Sequence, residues 1–165
     1  MPTAAPRDIV VKLVGLDDTF ALRKAVLRPW LTPERSRAAY AGYDEQFHVA
    51  ALRDGQVVST AAFLVDPHPE QRAAPFEALQ WRLRGMATAA ELQGQGLGGE
   101  VLRFGLAEIA RRLAARGQAS ATLWCNGRTT AERFYRRHGF QPIGAVVETP
   151  RTGPHCIFWR RVEAA

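Results

Sequence analysis

Gln93-Gly94-Gln95-Gly96-Leu97-Gly98-Gly99 constrains the fold more than any other stretch of this chain. Four glycines in seven residues oppose both helix and strand, because glycine loses the most backbone freedom on ordering. A helix follows directly. Leu102, Leu106, Ile109 and Leu113 recur at helical spacing, while Glu100, Arg103, Glu108, Arg111 and Arg112 fall on other faces. A glycine-rich turn opening into a helix points unpaired backbone N–H groups outward at the positive end of the helix dipole. Such a cradle suits phosphate. A plain turn before a surface helix is the competing reading, but it needs one glycine rather than four.

The glycines do not say which phosphate. Gly94-x-Gly96-x-x-Gly99 matches a dinucleotide fingerprint, which requires a strand directly before it and an acidic residue about 20 positions on. Here the preceding strand is expected to end near Ala87, and the next, Ala121 to Cys125, leads into Asn126. No Gly-Lys-Ser/Thr follows the glycines, which excludes a nucleoside-triphosphate P-loop.

The flanking segments read as one α/β domain over residues 1–165. Ile9 to Val14 is β-branched and predicts a strand. Asp17 or Asp18 can cap a helix carrying Phe20, Leu22, Ala25, Val26 and Leu27, which Pro29 stops. Arg35 to Tyr43 is a candidate second helix. Phe47 to Leu52 and Val57 to Val65 flank Asp54-Gly55, a hairpin signal. Asp66 to Pro75 holds three prolines and is a loop. Ala78 to Ala87 alternates, with Leu79, Trp81, Leu83 and Ala87 on one face and Gln80, Arg82, Arg84, Met86 and Thr88 on the other. Gly85 within it implies a bulge or a close backbone approach. Gly117 ends the central helix, Ala119 to Cys125 forms a buried strand, Thr129 or Thr130 starts a helix that Gly139 stops, and Phe140 to Val147 and His155 to Val162 are closing strands.

Composition removes several classes of function. No apolar run approaches the roughly 20 residues of a membrane span. The segment Met1 to Asp8 lacks the basic-then-apolar layout of a signal peptide. The two cysteines, Cys125 and Cys156, sit in apolar strands without metal spacing, the expectation for buried thiols in a reducing cytoplasm. The net charge of +6 comes almost wholly from arginine, scattered rather than clustered, which argues against a nucleic-acid partner.

Three segments together resemble the GNAT superfamily of N-acetyltransferases. Gln93 to Gly98 is similar to that family's Q/R-x-x-G-x-G/A pyrophosphate loop, with Gln93 where relatives often carry arginine. Leu83-Arg84-Gly85-Met86-Ala87-Thr88 resembles the strand that contacts the acyl group and pantetheine. Phe134-Tyr135-Arg136-Arg137-His138-Gly139-Phe140 resembles the F-Y-x-x-x-G-F segment that closes the cofactor site. The resemblance implies a central mixed, mostly antiparallel sheet of about seven strands, splayed in the middle, with about four helices. It implies acetyl-CoA as co-substrate, held by Met86, Ala87 and Thr88 and by the amides of Gln93, Gly94, Gln95, Gly96, Leu97, Gly98 and Gly99. Many relatives carry Asn three residues before the alanine that matches Ala131. Here that place is Arg128, with Asn126 two residues earlier, and either is a candidate cofactor contact.

Acetyl transfer to an amine needs a polarised thioester, a neutral nucleophile and a proton for the departing thiolate. Backbone N–H groups from Met86 to Thr88 are expected to polarise the carbonyl. By the resemblance Tyr135 is the general acid; its phenol, at an ordinary pKa of about 10, lies not far above a thiol. The general base is open among His155, His48, Glu148 and water. Arg82 and Arg84 share a strand face. They either pair with Asp44, Glu45, Glu77 or Glu148 or bind a carboxylate on the acceptor. The expected protein is therefore an acetyl-CoA-dependent N-acetyltransferase acting on a primary amine of a small molecule or peptide by direct attack in a ternary complex. It needs no metal and works as a monomer or homodimer. The alternative is a non-catalytic acyl-CoA-binding or sensing domain of the same fold.

Overall fold

The computed structural model describes residues 8–150 and 152–165. The opening residues 1–7, which the leader reading concerns, and residue 151 lie outside the described residues. The elements are β1 (Ile9–Val14), α1 (Phe20–Val26), α2 (Pro33–Tyr40), β2 (Gln46–Arg53), β3 (Gln56–Val65), β4 (Gln80–Thr88), α3 (Leu97–Ala115), β5 (Ser120–Arg128), α4 (Glu132–Arg137), β6 (Gln141–Thr149) and β7 (Gly153–Glu163). The strands form one seven-stranded sheet in the order β1-β2-β3-β4-β5-β7-β6. β4 and β5 run parallel across the α3 crossover, while β1 pairs with β2, and β7 with both β5 and β6, antiparallel. This is the mixed, mostly antiparallel sheet with four helices that the resemblance implies. No helix among the described residues is long and apolar enough to cross a membrane.

Local chemistry accounts for most boundaries. Asp54 (φ 51°) and Gly55 (φ 77°) form the two-residue link between β2 and β3, in the left-handed region that such hairpins require. Thr32 caps α2 by accepting the Arg35 N–H at 3.2 Å, with Pro33 at the first helical position, where its missing donor costs nothing. At the end of α3, Gly117 N–H donates to the Ala114 carbonyl at 3.1 Å and Gln118 N–H to the Leu113 carbonyl at 3.0 Å, a Schellman closure.

The chain divides into two compact units, residues 1–63 with 85–105 and residues 64–84 with 106–165. In the first, Phe47 stacks on Phe63 at 5.0 Å, over buried Val49, Ala61, Val101 and Leu102. Gly105 on α3 leaves room for the Phe63 ring, which any Cβ there would strike. In the second, Trp81, Leu123, Phe158, Ile109 and Leu113 are buried. Apolar burial of this kind supplies the main stabilisation of each unit.

Several expectations need correction. β5 does not stop at Cys125 but runs to Arg128, because Gly127 and Arg128 pair with Cys156 and His155 of β7. The helix expected from Thr129 or Thr130 opens as a 3-10 turn, Thr129–Ala131, before α4. The expected aspartate cap is replaced by a turn in which Asp18 accepts the Gly15 N–H at 2.9 Å and Asp17 pairs with Arg37 at 3.0 Å. The buried face of α1 carries Leu22 and Arg23, following buried Thr19, and not Ala25.

Candidate active site

In the first unit, β4 ends at Thr88 and a 3-10 turn, Ala90–Leu92, leads to the glycine loop. Gly94 (φ 78°) and Gly96 (φ 84°) both occupy the left-handed region. A Cβ at either would meet nothing within 4 Å, so glycine is needed there for backbone direction and not for packing room. Glu100 N–H donates to the Gly96 carbonyl at 3.1 Å and closes the first turn of α3. The amides of Leu97, Gly98 and Gly99 therefore have no acceptor within the helix. Nineteen residues of aligned peptides stand behind them. Gln93 turns its side chain back, its amide donating to the Thr88 carbonyl at 3.1 Å, while the Thr88 and Ser59 hydroxyls share a 2.8 Å hydrogen bond. One acceptor direction of Thr88 is thus occupied by Gln93, which removes part of the pairing capacity expected there. Met86 is half-buried and Ala87 buried.

The same unit buries an arginine that sequence reasoning missed. Arg23 is 4% exposed. Its Nε donates to the Gly85 carbonyl at 3.0 Å and its Nη1 to the Thr19 hydroxyl at 2.7 Å. Both Nη atoms lie 3.4 Å from His48 Nδ1, and the guanidinium sits 5.3 Å from the centre of the Tyr40 ring. His48 Nε2 is 3.0 Å from Gln46 Oε1. This arrangement assigns the proton to Nε2 and leaves Nδ1 as an acceptor for Arg23. Burial first, and the Arg23 charge second, push the His48 imidazole down to about 4. Its lone pair is engaged, so His48 is a structural acceptor and not a base. Gly85 has φ 59°, and a Cβ there would lie 2.7 Å from Arg23 Nε and from the Tyr40 hydroxyl, which is the close approach expected from its place in the strand. A cavity of about 480 Å³ adjoins this cluster, lined by Leu13, Arg37, Tyr40, Phe47 and His48 among others. The signal for Arg23 was present: positions 19, 22, 23 and 26 make one helical stripe.

In the second unit, Tyr135 lies flat against Phe158, ring centroids 4.6 Å apart, with Phe140 and Phe134 edge-on. Gly127 makes the stack possible, since a Cβ there would lie 2.6 Å from both Phe158 and Tyr135. The Cys125 thiol is buried, and it and the Tyr135 hydroxyl each perturb the other's titration. Burial pushes the Cys125 thiol up to about 12. Burial, with the neighbouring Cys125, raises the Tyr135 hydroxyl far above the ordinary phenol range, and Arg128 pulls it partly back. The premise of an unperturbed phenol is thus corrected: Tyr135 holds its proton at every working pH.

Strand register separates the other candidates. Cys125 and Gly127 alternate with Asn126 and Arg128, so the latter two point to the opposite face of β5, together with His155, which lies across from Arg128. His155 Nδ1 is 2.8 Å from the Gly153 carbonyl, which leaves Nε2 with the lone pair. Glu148 is exposed on β6, opposite Pro154. Arg82 bonds to Asp66 at 3.2 Å and lies 4.8 Å over the Trp124 ring, opposite it in register. Its carboxylate partner is none of the four anticipated, because the loop after β3 returns Asp66 to β4. Glu77 instead meets Ser120 at 3.0 Å and Arg161 at 3.5 Å. Arg84 is half-buried.

The model of the Acetyltransferase (GNAT) domain matches residues 44–142. The chain is 26% identical over 155 residues to the uncharacterized N-acetyltransferase YitI of Bacillus subtilis (strain 168), covering 94% of this chain and 97% of that protein. Its fold is similar to the crystal structure of an acyl-CoA N-acyltransferase from Pseudomonas aeruginosa, with TM-score 0.64, 20% identity, and coverage of 94% of this chain and 99% of that one. It is also similar to an aminoglycoside 6'-N-acetyltransferase complexed with coenzyme A, with TM-score 0.65, 11% identity, and coverage of 94% and 98%.

Proposed function

Because this chain belongs to the GNAT acetyltransferases, we propose that it moves an acetyl group from acetyl-CoA to a primary amine of a small molecule or peptide, by direct attack in a ternary complex. Residues 1–165 act as a single acetyltransferase domain, in the cytoplasm, as a monomer or homodimer. The observation that carries this reading is the loop at Gly94 and Gly96, whose left-handed backbone opens into the unpaired amides of Leu97 to Gly99 at the head of α3. These amides hold the pyrophosphate, and the Gln93 N–H, expected to join them, is donated instead to the Ala90 carbonyl at 3.4 Å. Asn126 or Arg128 adds a further contact.

The Met86 N–H polarises the thioester carbonyl, assisted from the Ala87 and Thr88 segment. The neutral amine attacks the carbonyl carbon, the C–N bond forms, and the C–S bond breaks. The thiolate takes the Tyr135 proton, and Tyr135 regains one as the new amide nitrogen sheds its surplus proton. Products are the N-acetyl amine and the free thiol, with no net change in protons on the protein. The ammonium proton is taken beforehand by water, or by His155 Nε2, which passes it on to solvent. Arg82 is held by Asp66 at 3.2 Å, which weakens the case for an acceptor carboxylate at this strand face.

One observation favours the alternative, a non-catalytic acyl-CoA-binding domain: the Tyr135 ring is packed flat on Phe158, a burial that raises the cost of giving up its proton. Thiol release from acetyl-CoA, assayed over a panel of amines, separates the two. Amine-dependent release at any acceptor supports the enzyme, and saturable coenzyme A binding without release at every amine supports the sensor.

A further inference from the structure

We infer that Arg23 is a positioning residue for acyl transfer, acting through the Gly85–Met86 peptide to hold and strengthen the Met86 N–H as a donor. The inference rests on the reading of Met86 given above. Two independent observations converge on this one peptide. Gly85 adopts φ 59° in the middle of a strand, and a guanidinium, 4% exposed, is buried to donate to its carbonyl at 3.0 Å. Burying a charge is expensive, and a neutral side chain fills such a space more cheaply. Glycine alone takes this conformation without strain, and a Cβ at Gly85 would lie 2.7 Å from Arg23 Nε, so the position admits the arginine as well as the turn of the backbone.

The geometry specifies what the arginine does. The Gly85–Met86 bond is not among the cis peptides, so its C=O and N–H point in opposite directions. A carbonyl held toward Arg23 therefore aims the Met86 N–H away from it. A charged donor makes a hydrogen bond roughly twice as strong as a neutral one, and it polarises the bonds beyond. The brace is fixed on three sides: Thr19 accepts at 2.7 Å, neutral His48 accepts from both Nη atoms, and the Tyr40 ring lies beneath. The guanidinium has no other rotamer to fall into without breaking these contacts.

The test combines kinetics with infrared spectra of acetyl-CoA, carbon-13 labelled at the carbonyl, bound to the full chain. In the wild type the carbonyl stretch lies below its value in water. In Arg23→Met the stretch of the folded protein moves back toward water, kcat falls about tenfold, and the affinity for coenzyme A stays within about twofold. Arg23→Lys recovers part of both signals. Thr19→Val removes only the brace and keeps the core volume; it shifts both readouts in the same direction, by less, should the methionine variant not fold. A packing role alone lowers thermal stability and leaves the stretch in place. If the wild-type stretch is lowered and Arg23→Met or Thr19→Val leaves stretch and kcat unchanged, the role of Arg23 is overturned while that of Met86 stands. If the wild-type stretch equals that in water, both fall.

Discussion

At Tyr135 two demands oppose each other. A general acid must release its proton, yet burial against Phe158 and the nearness of Cys125 raise the cost of doing so. In the proposed mechanism release is tied to the moment when the thiolate forms, so the residue should matter to turnover more than to binding. Tyr135→Phe should keep the ring stack, lower kcat by about 100-fold, and leave the affinity for coenzyme A within about twofold, measured by thiol release and calorimetry. An unchanged kcat removes Tyr135 from the mechanism. His48 makes a different prediction. Its folded value is about 4 against an ordinary 6.5, so between those values the unfolded chain takes up a proton that the folded one refuses. Stability from this source is complete above pH 6.5 and is lost as pH falls toward 4, on the order of 3 kcal/mol. Urea unfolding at pH 7 and pH 4.5 should show this loss, and His48→Gln should flatten it. Tyr135 was legible because it sits in a sequence motif, Arg23 only as one member of a helical stripe, and the nearness of Cys125 not at all. An arginine beside apolar residues on a short helix reads as solvated until the chain that covers it is known.

Elements bounded by their own local chemistry were the readable ones. Asp54-Gly55, the glycine loop, and Gly117 each act within a few residues, and the structure has them where the sequence predicts. β5 was read too short because Asn126, Gly127 and Arg128 have no strand propensity of their own; β7 supplies the ladder that extends them. The Asp66 partner of Arg82 was invisible for the same reason, since a loop fold brings it back. The loop before α3 also carries a direct test. Gly96 has φ 84° with open space around it, so an alanine there meets no clash and is penalised only by its backbone. Gly96→Ala should destabilise by about 1–2 kcal/mol, a fall of roughly 2–8 °C in Tm, while weakening coenzyme A binding at least about tenfold as the amides turn. Retained affinity would show that these amides do not set the site.

For the molecule as a whole, net charge of +6 without a basic cluster favours an anionic small ligand over a polyanion. Ligand linkage makes this measurable. Coenzyme A at 100 times its Kd should stabilise the fold by about 2.7 kcal/mol, or about 5–11 °C in Tm, provided that the unfolded chain does not bind it. The central claim is that the backbone at the head of α3 grips a diphosphate. Calorimetric titration of the folded protein with coenzyme A tests it most directly. The account predicts saturable heat at one site per chain, sharply reduced in Gly96→Ala. No heat from a protein that circular dichroism shows to be folded would contradict it.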